Sequence, residues 1–356
     1  MKKVLVLFAA FSVAVSAGCT LMGPSAPVKY SSVGTLAGAG TAGAVDAVGE
    51  AARINRPHGM AIDAGGTVYF SDRGNHQIRA VNGEGMVRTI AGSGKQGFAD
   101  GRGAAAQFHD PVAVAVDKAG SIYVADRNNH RVRRISPDGT VSTLAGTGQA
   151  GYADGPTNSA RFNQVYGVAL DPAEQNLYVA DYLNHAIRKI ELSGGAVSTL
   201  AGNGSAGDAD GTGANARFNQ PYNVKVDGAG NLWVPDQLNH AIRKVTPDGS
   251  VTTIAGNGKE GYADGIARAA QFNNPTGLTP AIDGSVFVAD RNGHRVRRIA
   301  PDGTVTTLAG DGEAGYADGP IAGSEFNRPI DVVQDPRTRQ LYVSEENNHR
   351  IRRIFP

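Results

Sequence analysis

From residue 33 onward, short apolar runs alternate with clusters of Asp, Asn, Gly and Pro, and no stretch keeps apolar residues at helical spacing. The segment FHDPVAVAVDKAGSIYVADRNNHRVRRISPDGTVSTLAG shows the unit. VAVAV ends at Asp117, a Gly turn leads into IYVAD, the RNNH hairpin opens RVRRI, and PDG turns into TVSTLAG. Runs this short, rich in β-branched and aromatic residues and bounded by turn formers, predict a four-stranded antiparallel meander.

The unit repeats, and the repeat decides how its glycines are read. GSGKQG at Gly92 has the G-x-G-x-x-G spacing of a dinucleotide-binding loop, but equivalent strings start at Gly38, Gly146, Gly202, Gly256 and Gly310, 54 to 56 residues apart. Each follows a strand-like TLAG or TIAG, and five run through YADG, FADG or DADG into a polar stretch, with no amphipathic helix to receive a pyrophosphate. These glycines are turn residues in a long surface loop, and no nucleotide site is assigned.

Six histidines count the units: His76, His130, His185, His240, His294 and His349, each preceded by Asn or Gly. Together with the recurring FN-x-P-x-G-V-A-V-D, L-Y-V-A-D and N-H-x-I-R-K strings, they make residues 33–356 resemble the NHL repeat family. That resemblance implies an all-β, six-bladed β-propeller. The last unit stops at Phe355-Pro356 after its third strand, while an orphan Thr35-Leu36-Ala37-Gly38 precedes the first unit. The N-terminal strand around residues 33–38 is therefore expected to complete the last blade and leave a closed, monomeric ring without open edges.

Ahead of the repeats, MKKVLVLFAAFSVAVSAGC has two lysines, an apolar run too short to span a bilayer, and small residues before Cys19. It resembles a bacterial lipoprotein signal, although Ser16 stands where leucine is usual. The expectation is a signal peptide at 1–18, a lipidated Cys19, and a flexible tether over 19–32. The protein would then be anchored by its lipid in the bacterial cell envelope, with Thr20 favouring the outer membrane. Cys19 is the only cysteine, so neither an internal disulfide nor a cysteine-based metal site can form. The net charge of +1 falls to about −1 without Lys2 and Lys3, which gives no signature for nucleic acid.

Residues present in every unit are read first as scaffold. Asp72, Asp126, Asp181, Asp236, Asp290 and Glu345 are expected to brace the hairpins with the histidines. Asp100, Asp154, Asp210, Asp264 and Asp318 are expected to form Asx-turns, one carboxylate per loop being too few for calcium. The arginine runs at 131–134, 295–298 and 350–353 are expected on solvated outer faces in ion pairs. Function is sought where the units disagree, on the face carrying the long glycine loops and RNNH-type hairpins. The residue after the FN-x-P proline varies among His58, Val112, Tyr166, Tyr222, Thr276 and Ile330, and the hairpin tips vary as Arg73, Arg127, Tyr182, Gln237, Arg291 and Glu346.

His58, Tyr166, Tyr222, Asn223, Lys225 and Asp331 are the candidate ligand-binding residues, expected at the mouth of the central channel and suited to a polar or aromatic ligand. The reading is a binding or scaffolding module for a protein, peptide or glycan, with no catalytic residue, cofactor or metal assigned. The alternative is a metal-dependent enzyme like the lactonases and lyases among six-bladed relatives, which need clustered ligands at the channel mouth.

Overall fold

The structure is a computed structural model that describes residues 28–356. The signal peptide, Cys19 and most of the tether lie outside the described residues. Six antiparallel sheets stand around a central channel, each a meander whose first strand is innermost. In the second blade the strands are Pro111–Val116, Ile122–Asp126, Arg131–Ile135 and Thr140–Ala145. The expected propeller is observed.

Ser32–Ala37 is the outermost full strand of the sixth blade and pairs antiparallel with Arg350–Phe355, Val33 opposite Ile354 and Thr35 opposite Arg352. The orphan segment thus closes the ring. A second closure was not foreseen. In five blades the long loop lays a two-residue strand along the outer edge, as Gly101–Arg102 does against Thr140 and Val141. These short strands cover edges that would otherwise stay open to pairing. The loop glycines are needed for close approach. At Gly92, with φ 107°, a β-carbon would come within 2.6 Å of the His76 carbonyl oxygen.

Apolar residues fill the spaces between blades. Phe108, Phe162, Phe218, Phe272 and Phe326 are all fully buried there, and Ile54 holds the same place in the first blade. Inner strands end in tight turns on one face. The RNNH-type hairpins, the FN-x-P segments and the glycine loops gather on the other.

Candidate functional site

The repeated polar residues form a fixed frame. The central arginine of each third strand, Arg79, Arg133, Arg188, Arg243, Arg297 and Arg352, is buried to 1% exposure or less. Arg133 shows the arrangement: Nη1 donates to Asp126 at 2.8 Å and to the Gln107 carbonyl, and Nη2 donates to Asp100 at 2.6 Å and to the Ala99 carbonyl. Its guanidinium also lies over the Phe108 ring. This corrects two expectations. The middle arginines are not on solvated faces, and the loop aspartates cap these arginines and a nearby threonine instead of forming Asx-turns. A buried guanidinium requires such pairing, because the desolvation penalty of an unpaired charge is several kcal/mol.

The hairpin carboxylates brace as expected, though not through histidine. Asp72 accepts from the Asn55 backbone N–H, from Asn75 Nδ2 and from Arg79. Burial pushes its carboxyl up to about 6 against the pull of Arg79. Each histidine instead ties one blade to the next. Held at φ 46–52°, it accepts on Nδ1 the backbone N–H of the residue just before the following inner strand, as His76 does from Asp110 at 3.1 Å.

The six candidate residues do converge on the channel, but they do not line an open mouth. His58, Tyr166, Tyr222, Asn223 and Asp331 are all buried, and the packed rings of His58, Tyr166 and Tyr222 plug the loop-rich end. His58 Nδ1 lies 2.7 Å from the Val112 carbonyl, which can only accept, so Nδ1 carries the hydrogen. Nε2 therefore accepts from the Tyr222 hydroxyl at 2.8 Å, across the ring from blade four to blade one. Burial, reinforced by the positive charge of Arg73, lowers His58 to about 3, and it is neutral. Tyr166 packs between Tyr222 and Tyr182, with ring centroids 4.6 and 4.1 Å away.

Lys225 makes a second crossbar, donating to the Met60 carbonyl at 2.6 Å and pairing with Asp331 at 3.4 Å. It lies below the plug and faces the other end of the channel. There a cavity of about 270 Å³ opens among inner-strand residues, Lys225 included.

Blade four can supply these crossbars because its inner strand is incomplete. Lys225 and Val226 form its only continuous ladder with the second strand, and Pro221 makes an isolated bridge to Asp236, whereas blade three pairs from Val165 to Leu170. The neighbouring second-strand residue is Pro235, which has no N–H to give. Tyr222 keeps one bond, its N–H to the Pro235 carbonyl at 3.0 Å.

Above the plug, the hairpin tips form a charged cluster. Arg73 grips Asp110 through two bonds, Nε to Oδ1 at 2.8 Å and Nη2 to Oδ2 at 3.0 Å. Arg127 reaches the same carboxylate at 2.6 Å. Arg291 and Arg56 share Glu346, at 2.7 and 2.5 Å. Burial alone would raise Glu346, but Arg291, with Arg56, outweighs it and holds the carboxyl at about 2. Four guanidinium groups thus meet two carboxylates, and the Arg291 Nε is buried with no partner. Arg127 also lies 5.0 Å over the Tyr166 ring. Sequence reading noted the variable tips but missed Arg56 and Asp110. Their signal was the equally variable residue before the FN-x-P proline (Val165 in the third unit): Arg56, Asp110, Gln164, Gln220, Asn274 and Arg328.

A metal does not fit the plug. Both nitrogens of His58 are engaged, and among the described residues no three His, Cys, Asp or Glu side chains come together as a ligand set.

Comparison with known proteins places this geometry among others. The Teneurin NHL domain model matches residues 97–261 and 251–355, and the NHL repeat model matches 55–80. Protein SUPPRESSOR OF QUENCHING 1, chloroplastic, of Arabidopsis thaliana is 32% identical over 74% of this chain. NHL repeat-containing protein 2 of Gallus gallus is 27% identical over 83% of it. The chain spans 27% and 46% of those two proteins. An auxiliary nutrient binding protein from Bacteroides ovatus superposes with a TM-score of 0.70 at 16% identity, covering 92% of this chain and 77% of its own, a likeness of fold.

Proposed function

The chain belongs to the Teneurin NHL domain family of NHL-repeat β-propellers, and on that premise we propose that it is a binding module whose loop-rich face takes an acidic segment of a protein or peptide. The observation that carries this reading is the excess of arginine at the centre of that face. Arg56, Arg73, Arg127 and Arg291 surround two carboxylates, Asp110 and Glu346, both already saturated by guanidinium groups, and Arg127 gives two further N–H groups to Gln164. Spare N–H donors there, held on rigid hairpins over an aromatic floor, suit carboxylates that arrive in a fixed geometry. The plug beneath gives the cluster a solid base, so little ordering is required on binding.

Selection of a random peptide display library on the purified protein tests this. Asp- and Glu-rich sequences should be enriched, and the double variant Arg127→Gln/Arg291→Gln, with an unchanged melting curve, should not recover them. Enrichment without acidic bias, or equal recovery on the variant, would refute it.

In the same reading, a lipid on Cys19 and the tether to residue 32 hold the disc at the bacterial cell envelope, on the outer membrane, leaving the face free to meet a partner. The mass of the mature N-terminal peptide reads this directly: a diacylglyceryl-modified Cys19 is expected, and an unmodified or differently cleaved end would contradict it.

A further inference from the structure

The other end of the channel differs in character from the arginine face. Its cavity of about 270 Å³ is walled by inner strands: Ala61, Ala115 and Ala169 keep it wide, and Ile62, Val116 and Leu170 make the partly exposed rim. A cavity of ~150 Å³ with apolar walls already holds a benzene ring, so this one has room for about eight to ten non-hydrogen atoms. Lys225 is the one ionised side chain among those lining it. The equivalent residues of the other blades are Ala61, Ala115, Ala169, Thr279 and Val333.

The lysine amine has three N–H donors. Met60 and Asp331 take two, and the side chain keeps 15% of its exposure. Asp331 is itself satisfied by the backbone N–H groups of Met60 and Val332 at 2.8 and 3.0 Å. The Lys225–Asp331 pair therefore offers one spare donor at the inner end of this open pocket, whose walls combine aliphatic side chains with polar atoms and which the His58–Tyr222 bond closes above.

We infer that this pocket is a second binding site, for a small aliphatic molecule ending in a carboxylate or carbonyl oxygen. The oxygen accepts from Lys225 Nζ, and the hydrocarbon chain lies along the alanine and valine walls towards the rim. The site opens opposite the arginine cluster, so its fate is independent of the acidic-partner reading.

Calorimetric titration of the full chain with octanoate and with octan-1-ol tests the inference, beside NMR contacts from octanoate methylenes to the Val116 and Leu170 methyls. Both probes should bind, and Ala115→Phe, which fills the pocket, should abolish both. Lys225→Met should weaken octanoate about tenfold, the share of one hydrogen bond to a charged group, and change octan-1-ol much less. The NMR contacts on the unaltered protein decide the matter if either variant unfolds. No binding of octanoate, NMR contacts elsewhere, or equal octanoate affinity in a folded Lys225→Met protein would overturn the site.

Discussion

His58 has the chemistry of a reagent and the environment of a strut. In the folded state it is neutral down to about pH 3, whereas the unfolded chain protonates it near its ordinary 6.5. Between those values the unfolded state binds more protons, so stability present above about pH 6.5 is withdrawn as the pH falls towards 3. The six blade-linking histidines, lowered by burial, act with the same sign. His58→Gln should therefore keep part of the acid sensitivity and lose up to about 1.4 kcal/mol per pH unit of its slope. Denaturant unfolding at steps from about pH 7 to 4 measures the difference, and parallel curves for the two proteins would contradict a buried neutral His58. The sequence singled out His58, Tyr166 and Tyr222 because they break the repeat. It could not show that they bond to one another, since a repeat fixes the ring on which a residue sits but not how far its side chain reaches across. Arg133 was misread for a related reason: its partner Asp100 lies 33 residues upstream on a loop whose path the strand pattern does not reveal.

At the scale of the element, the hairpin is held by an Asn that joins the buried carboxylate to the glycine loop. Asn129 Nδ2 donates to Asp126 and to the Gly97 carbonyl, both at 2.8 Å. The fifth blade has Gly293 at this place, and Asp290 there is pushed by burial up to about 6 despite Arg297. Gly293→Asn should restore the missing bonds. A β-carbon on residue 293 would lie 2.7 Å from Asp290 Oδ2, so the carboxylate has to shift as the Asn settles. A gain of about 1 kcal/mol is expected, from bonds to a charged group and from a less flexible unfolded chain. Thermal unfolding should show a rise of a few degrees, and a lower melting temperature would mean that this hairpin cannot take the shared geometry. Strands and turns were legible because apolar runs and turn residues mark them directly. The weakness of blade four's inner strand was legible only in part. Lys225 stood out, but the cause lies in Pro235 on the next strand, and that pairing is known only once the register is known.

Across the whole molecule, the sequence count of six units with one borrowed strand matches the ring, because the unit lacking an outer strand and the orphan TLAG are complementary. What the count leaves open is how the two faces differ. Six near-identical units place every long loop on one side, yet the side chains at the centre decide that this end is shut and positively charged while the other is open and walled largely by aliphatic side chains. Net charge concealed this, because the arginine excess at one patch is offset elsewhere on the chain. The central claim is that the patch recognises acid groups, and calorimetric titration with hexaglutamate tests it most directly. Binding should weaken several-fold between about 50 and 200 mM salt, as expected for partly exposed charges, and should be lost in a folded Arg127→Gln/Arg291→Gln protein. Absence of binding to the unaltered chain, or affinity that neither salt nor the two substitutions change, would contradict it.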